Sequence, residues 1–94
     1  MLNAIRRCEM EMTLAVLRAI ESGVKLEIYP TYYEGDYDGW MLGNAIKVDY
    51  CVADRIVTFS KEKRKLFREV YTIERGPWLP GAIAQVEREL EGVK

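Results

Sequence analysis

Glu34, Asp36 and Asp38 stand at alternate positions in Thr31-Tyr32-Tyr33-Glu34-Gly35-Asp36-Tyr37-Asp38-Gly39-Trp40, interleaved with four aromatic rings. Three chemistries use such residues. Alternating carboxylates before a glycine partly match the spacing of a calcium-binding loop, with Met41 at its apolar position. The twelfth position is then Ala45 where a bidentate glutamate is required, so no metal is assigned. Paired carboxylates can divide acid and base roles when a pocket separates their pKa values. A glycine-flanked loop supplies neither the pocket nor a fixed separation, and a small carboxylate-dependent enzyme ranks third.

Recognition ranks first. Tyrosine and tryptophan offer large amphipathic area at limited rotamer cost, glycine lets the backbone fit, and acids select a basic partner. Tyr32, Tyr33, Tyr37 and Trp40 form the expected anchor cluster, with Glu34, Asp36 and Asp38 around it. The competing use of the same rings is to cover the sheet and close a small core.

A second constellation is Lys61, Lys63, Arg64, Lys65 and Arg68, flanked by Phe59 and Phe67. On a hairpin tip these cations could meet phosphates, which makes nucleic-acid binding the runner-up. No glycine-rich phosphate loop, zinc spacing or RNA-recognition strand motif accompanies them. Cys8 and Cys51 have no imidazole to activate them, because the chain contains no histidine. With no leader-like segment, both are expected as small buried residues in a reducing, cytoplasmic setting.

The net charge of −1 hides a separation. Lys25 and Lys47 against Glu27, Glu34, Asp36, Asp38, Asp49 and Asp54 leave residues 24–54 at −4. Arg55, Lys61, Lys63, Arg64, Lys65, Arg68 and Arg75 against Glu62, Glu69 and Glu74 leave residues 55–75 at +4. Attraction between these regions of two copies makes a homodimer a further expectation. The 94 residues, 49% hydrophobic, suit a single small domain over residues 1–94. No uninterrupted apolar run exceeds four residues, as in Leu14-Ala15-Val16-Leu17, so no membrane span is expected.

The elements that must position these groups follow from periodicity. A helix is predicted over about residues 3–22, capped by Asn3 and ended by Gly23, with Ile5, Cys8, Met12, Ala15, Val16 and Ala19 as its apolar stripe. Val24 to Tyr29 alternates as a strand stopped by Pro30, and the acidic aromatic segment follows mainly as a loop. A strand is expected over Ala45 to Ala53, with Ile56 to Phe59 resuming β chemistry after Asp54-Arg55. Ser60 to Arg64 reads as a loop and Lys65 to Ile73 as a strand, with a helix over residues 61–71 as its competitor. After Pro77-Trp78-Leu79-Pro80, the residues Leu79, Ile83, Val86 and Leu90 mark a final helix ending at Gly92.

The expected fold is therefore α+β: a three- or four-stranded antiparallel sheet covered by N-terminal and C-terminal helices, in α-β-β-β-α order. That order is similar in outline to double-stranded RNA-binding domains. The family's function is not carried over, because its final helix begins with a lysine-rich patch. Here that helix holds Glu87, Glu89 and Glu91 and a single arginine, Arg88. The functional expectation is a non-catalytic protein-interaction module, a small regulator or inhibitor without a cofactor.

Overall fold

A computed structural model describes residues 2–43, 46–61 and 64–92, and the side chains of all of these except 2, 3, 33, 37 and 64–67. Lys63 and Ala45 lie outside the described residues, as do the side chains of Asn3, Tyr33, Tyr37, Arg64 and Lys65. The fold is α+β, with an antiparallel sheet and helices at both ends of the chain. In chain order the elements are α1 (Leu2–Glu21), β1 (Leu26–Tyr33), β2 (Asp36–Leu42), β3 (Ile46–Val48), α2 (Tyr50–Phe59), β4 (Arg64–Phe67), β5 (Val70–Ile73) and α3 (Leu79–Gly92).

The sheet runs β3-β2-β1-β5-β4, every neighbour antiparallel. Ile28 stands opposite both Leu42 and Tyr71, Leu26 opposite Ile73, and Trp40 opposite Val48. Directly opposed residues share a face, so these seven point to one side. Ile28, Leu42, Val48 and Ile73 are buried there with Leu17 and Ile20 of α1, Val52 and Ile56 of α2, and Ile83 and Val86 of α3. On the other side Glu27, Tyr29, Met41, Lys47 and Thr72 are exposed or half-buried, so all three helices cover the same face.

The α1 helix ends as its glycine predicts. The Gly23 N–H bonds Ile20 carbonyl at 3.0 Å and the Val24 N–H bonds Ala19 at 3.2 Å, with Gly23 at φ +106°. Its start differs, because the backbone is already helical at Leu2 and Asn3 is not a cap. The face it buries also differs from the predicted stripe. Met10, Thr13, Val16, Leu17 and Ile20 face the core, while Ile5, Cys8, Met12 and Ala15 are exposed. Thr13 hides the true stripe in the sequence. Its hydroxyl donates to the Glu9 carbonyl at 2.7 Å, which lets a polar residue occupy a core position.

Residues 50–59 form a helix where strands were expected. Tyr50, Val52, Ile56, Val57 and Phe59 favour strands intrinsically, but Val52, Ala53 and Ile56 fall on one helical face and are buried. Asp49 begins the helix with extended backbone, and its carbonyl accepts from the Val52 and Ala53 N–H groups at 3.1 Å. The buried Ser60 closes it by donating to the Ile56 carbonyl at 2.7 Å. This helix removes the outline similarity to double-stranded RNA-binding domains, because it interrupts their three-strand run.

Two further segments fold back on themselves. The acidic aromatic stretch is a hairpin, Tyr33 standing opposite Asp36 across Glu34 and Gly35 at φ +52° and +87°. A two-residue turn with both φ positive matches the right-handed twist of its strands. Pro30 does not stop β1, since β5 pairs only with Leu26–Ile28 and demands no N–H further along. Lys65 to Ile73 is likewise two strands, turning at Arg68 and Glu69 with φ +50° and +66°. In α3, Leu79, Ala82, Ile83 and Val86 are buried, with Leu90 packed against the core.

Candidate functional site

The distal part of the β1–β2 hairpin leaves the body of the sheet. Among the described residues, Thr31–Tyr33 and Asp36–Gly39 pair only with each other. The result is a projecting two-stranded ribbon. Glu34, Asp36 and Asp38 are all exposed on it, and Tyr32 keeps 56% of its surface open. Trp40 is different. It lies opposite Val48, half-buried against the core, where it covers the sheet.

Local geometry divides the three acids. Asp38 is the extra residue of a bulge, since Thr31 pairs with Gly39 and Tyr32 with Tyr37. The Lys47 ammonium reaches Asp38 Oδ2 at 2.6 Å. Gly39 makes that reach possible: a Cβ built there would meet Lys47 Cε at 2.7 Å. Asp38 is thus tied to the sheet edge, while Glu34 and Asp36 meet no cation among the described side chains. Asp38, Lys47 and Asp49 also line one shallow recess of about 400 Å³ beside Tyr50.

The basic constellation is dispersed. Lys61 follows the end of α2, Arg64 and Lys65 belong to edge strand β4, and Arg68 forms the β4–β5 turn. The hairpin tip is therefore Arg68-Glu69, one cation and one anion. Because β1 pairs β5, this tip lies at the same end of the sheet as the acidic ribbon. The Tyr32 hydroxyl donates to Glu69 Oε2 at 3.3 Å across the gap. The segments at −4 and +4 are thus sheet neighbours within one molecule.

Elsewhere, the helices meet in a bidentate ion pair that sequence reasoning missed. Arg55 of α2 donates through both Nη atoms to Glu89 of α3, at 2.8 and 2.6 Å. These bonds hold the Glu89 carboxyl below its ordinary range against the opposing effect of burial, helped by the charge of Arg55 and a bond from Gln85. Arg55 also stands 5.1 Å over the Phe59 ring. The signal in the sequence was the isolated arginine of an apolar segment, misplaced because that segment read as a strand.

Cys8 and Cys51 are both exposed free thiols, contrary to the burial expected of them. Cys8 follows the unburied stripe of α1, and Cys51 stands in the open first turn of α2. Among the described residues, no group of three Cys, Asp or Glu side chains could hold a metal ion, and no helix is long and apolar enough to cross a membrane. Compared with known proteins, the chain gives no significant match to a family model, a curated protein or a solved structure.

Proposed function

We propose that this chain is a non-catalytic protein-interaction module, a small regulator or inhibitor, that docks its β1–β2 ribbon onto a basic protein surface. One observation carries the reading: among the described residues, Glu34 and Asp36 sit unpaired on a ribbon that no other strand joins. A protruding turn with two desolvatable acids and an adjacent exposed tyrosine is shaped to enter a partner's groove. Complementary charge then sets encounter rate and register. Tyr32 supplies the apolar area, and Asp38, already neutralised by Lys47, holds the ribbon's base. Exposed thiols at Cys8 and Cys51 suit a reducing, cytoplasmic setting.

Partner capture by the full chain, with nucleic acid digested, tests the proposal. Glu34→Lys with Asp36→Lys should release the captured protein, while the fold stays intact by circular dichroism. Capture that survives both reversals at unchanged affinity contradicts it. A partner lost on nuclease treatment would instead transfer the function to phosphate binding by the basic residues.

A further inference from the structure

The α1 helix carries two apolar stripes. One, Met10, Thr13, Leu17 and Ile20, is buried. The other, Ile5, Cys8, Met12, Ala15 and Ala19, runs at alternating spacings of three and four, about 140° round the helix from the first. Ile5 is 60% exposed and Met12 40%, Cys8 and Ala15 are open, and Ala19 is half-buried. Such spacing is that of a coiled-coil seam, which a lone amphipathic helix on a sheet does not need. Beside it a groove of about 390 Å³ separates α1 from Val48 and Val52.

We infer that this seam docks against the α1 helix of a second copy, running antiparallel. Charge and size along the seam select that occupant. Glu11 and Arg18 flank it on its solvent side, seven residues apart and opposite in sign. An antiparallel copy brings Glu11 against Arg18 of the second copy, and Arg18 against its Glu11, two reciprocal pairs from one contact. The same register sets Met12 over Ala15 and Cys8 over Ala19, large against small, so the helices approach closely. A parallel pair would forgo both ion pairs and set Cys8 against Cys8. Within one chain Glu11 now bonds Arg7, and Arg18 bonds Glu21 and Glu87. These pairs are about half exposed and weak enough to be shared or exchanged. The surface lies on α1, so it stands apart from the ribbon and from the reading built on it.

Sedimentation of the full chain into the hundreds of micromolar tests this inference. The expected species is a dimer that Met12→Glu, or equally Ala15→Glu, converts to a monomer of unchanged helix content. Both sites are exposed, so neither change disturbs the core. Glu11→Arg and Arg18→Glu should each weaken the dimer about threefold to tenfold, and the double variant should recover it. In a Cys51→Ser background, mild oxidation should leave the chains unlinked, because the Cys8 residues lie about 16 Å apart along the axis. A monomeric wild type, a dimer indifferent to both glutamates, a double variant weaker than either single, or a ready Cys8–Cys8 disulfide would overturn it.

Discussion

The Tyr32 hydroxyl on β1 donates to the Glu69 carboxylate in the β4–β5 turn at 3.3 Å, across 37 residues of sequence. This bond joins the acidic hairpin to the β4–β5 hairpin and sets the segments at −4 and +4 side by side in one molecule. The ribbon beyond it remains acidic. The proposed contact surface rests on its charge, its exposure and, among the described residues, its freedom from strand neighbours.

Tyr32 and Trp40 should therefore separate in experiment. Tyr32→Ala is expected to change stability by less than about 1 kcal/mol, since its hydrogen bond to Glu69 is exposed, yet to weaken partner capture. Trp40→Ala should cost about 2–4 kcal/mol by uncovering the core around Val48. Urea denaturation alongside capture distinguishes the two effects.

Gly39 is favoured by its φ of +149°, and a Cβ there would also crowd the flexible Lys47 stem, which would have to shift away from its place beside Asp38. Gly39→Ala should destabilise the fold by about 1–3 kcal/mol. In a Lys47→Ala background the steric part vanishes and the backbone part remains, so a double-mutant cycle should show a smaller alanine cost there.

The β4–β5 turn holds two non-glycine residues at positive φ, a conformation that costs L-residues about 1–2 kcal/mol each. Glu69→Gly relieves one of these conformations but also removes the acceptor of the Tyr32 hydroxyl, so in a Tyr32→Phe background it should raise stability by up to about 1 kcal/mol in thermal melts. Arg68→Asn should act in the same direction.

The Arg55–Glu89 pair predicts a pH dependence. Glu89 has a folded pKa below its unfolded value of about 4.3, so the unfolded chain binds more protons in mild acid. The stabilisation is complete above about pH 5 and is lost as pH falls through the folded pKa. Glu89→Gln should cost about 1–2 kcal/mol at neutral pH, with side chains only 28% and 26% exposed. That difference should shrink toward zero in denaturation curves taken at progressively lower pH.

The C-terminal end of α1 and the final helix were legible because local chemistry determines them: Gly23 closes α1, and Leu79, Ile83 and Val86 repeat on one face of α3. The middle helix was hidden, since Tyr50, Val52, Ile56 and Phe59 favour strands and only tertiary burial of Val52 and Ile56 decides otherwise. Gly35 favours a turn in the sequence, but the hairpin it closes read mainly as a loop, and the β4–β5 turn left no signal. Glu34-Gly35 lacks the usual asparagine or aspartate, and Arg68-Glu69 lacks glycine altogether. Of the site, the acids were visible as composition. Which were free depended on the reach of Lys47 over Gly39, a relationship between separate strands that spacing alone does not encode.

The most direct measurement is the affinity of a captured protein partner for the wild-type chain and for Glu34→Lys with Asp36→Lys, taken across salt concentrations. Recognition through the ribbon predicts a loss of about tenfold or more, with the remaining affinity nearly insensitive to salt. Equal affinity and equal salt dependence in a folded double variant would contradict it.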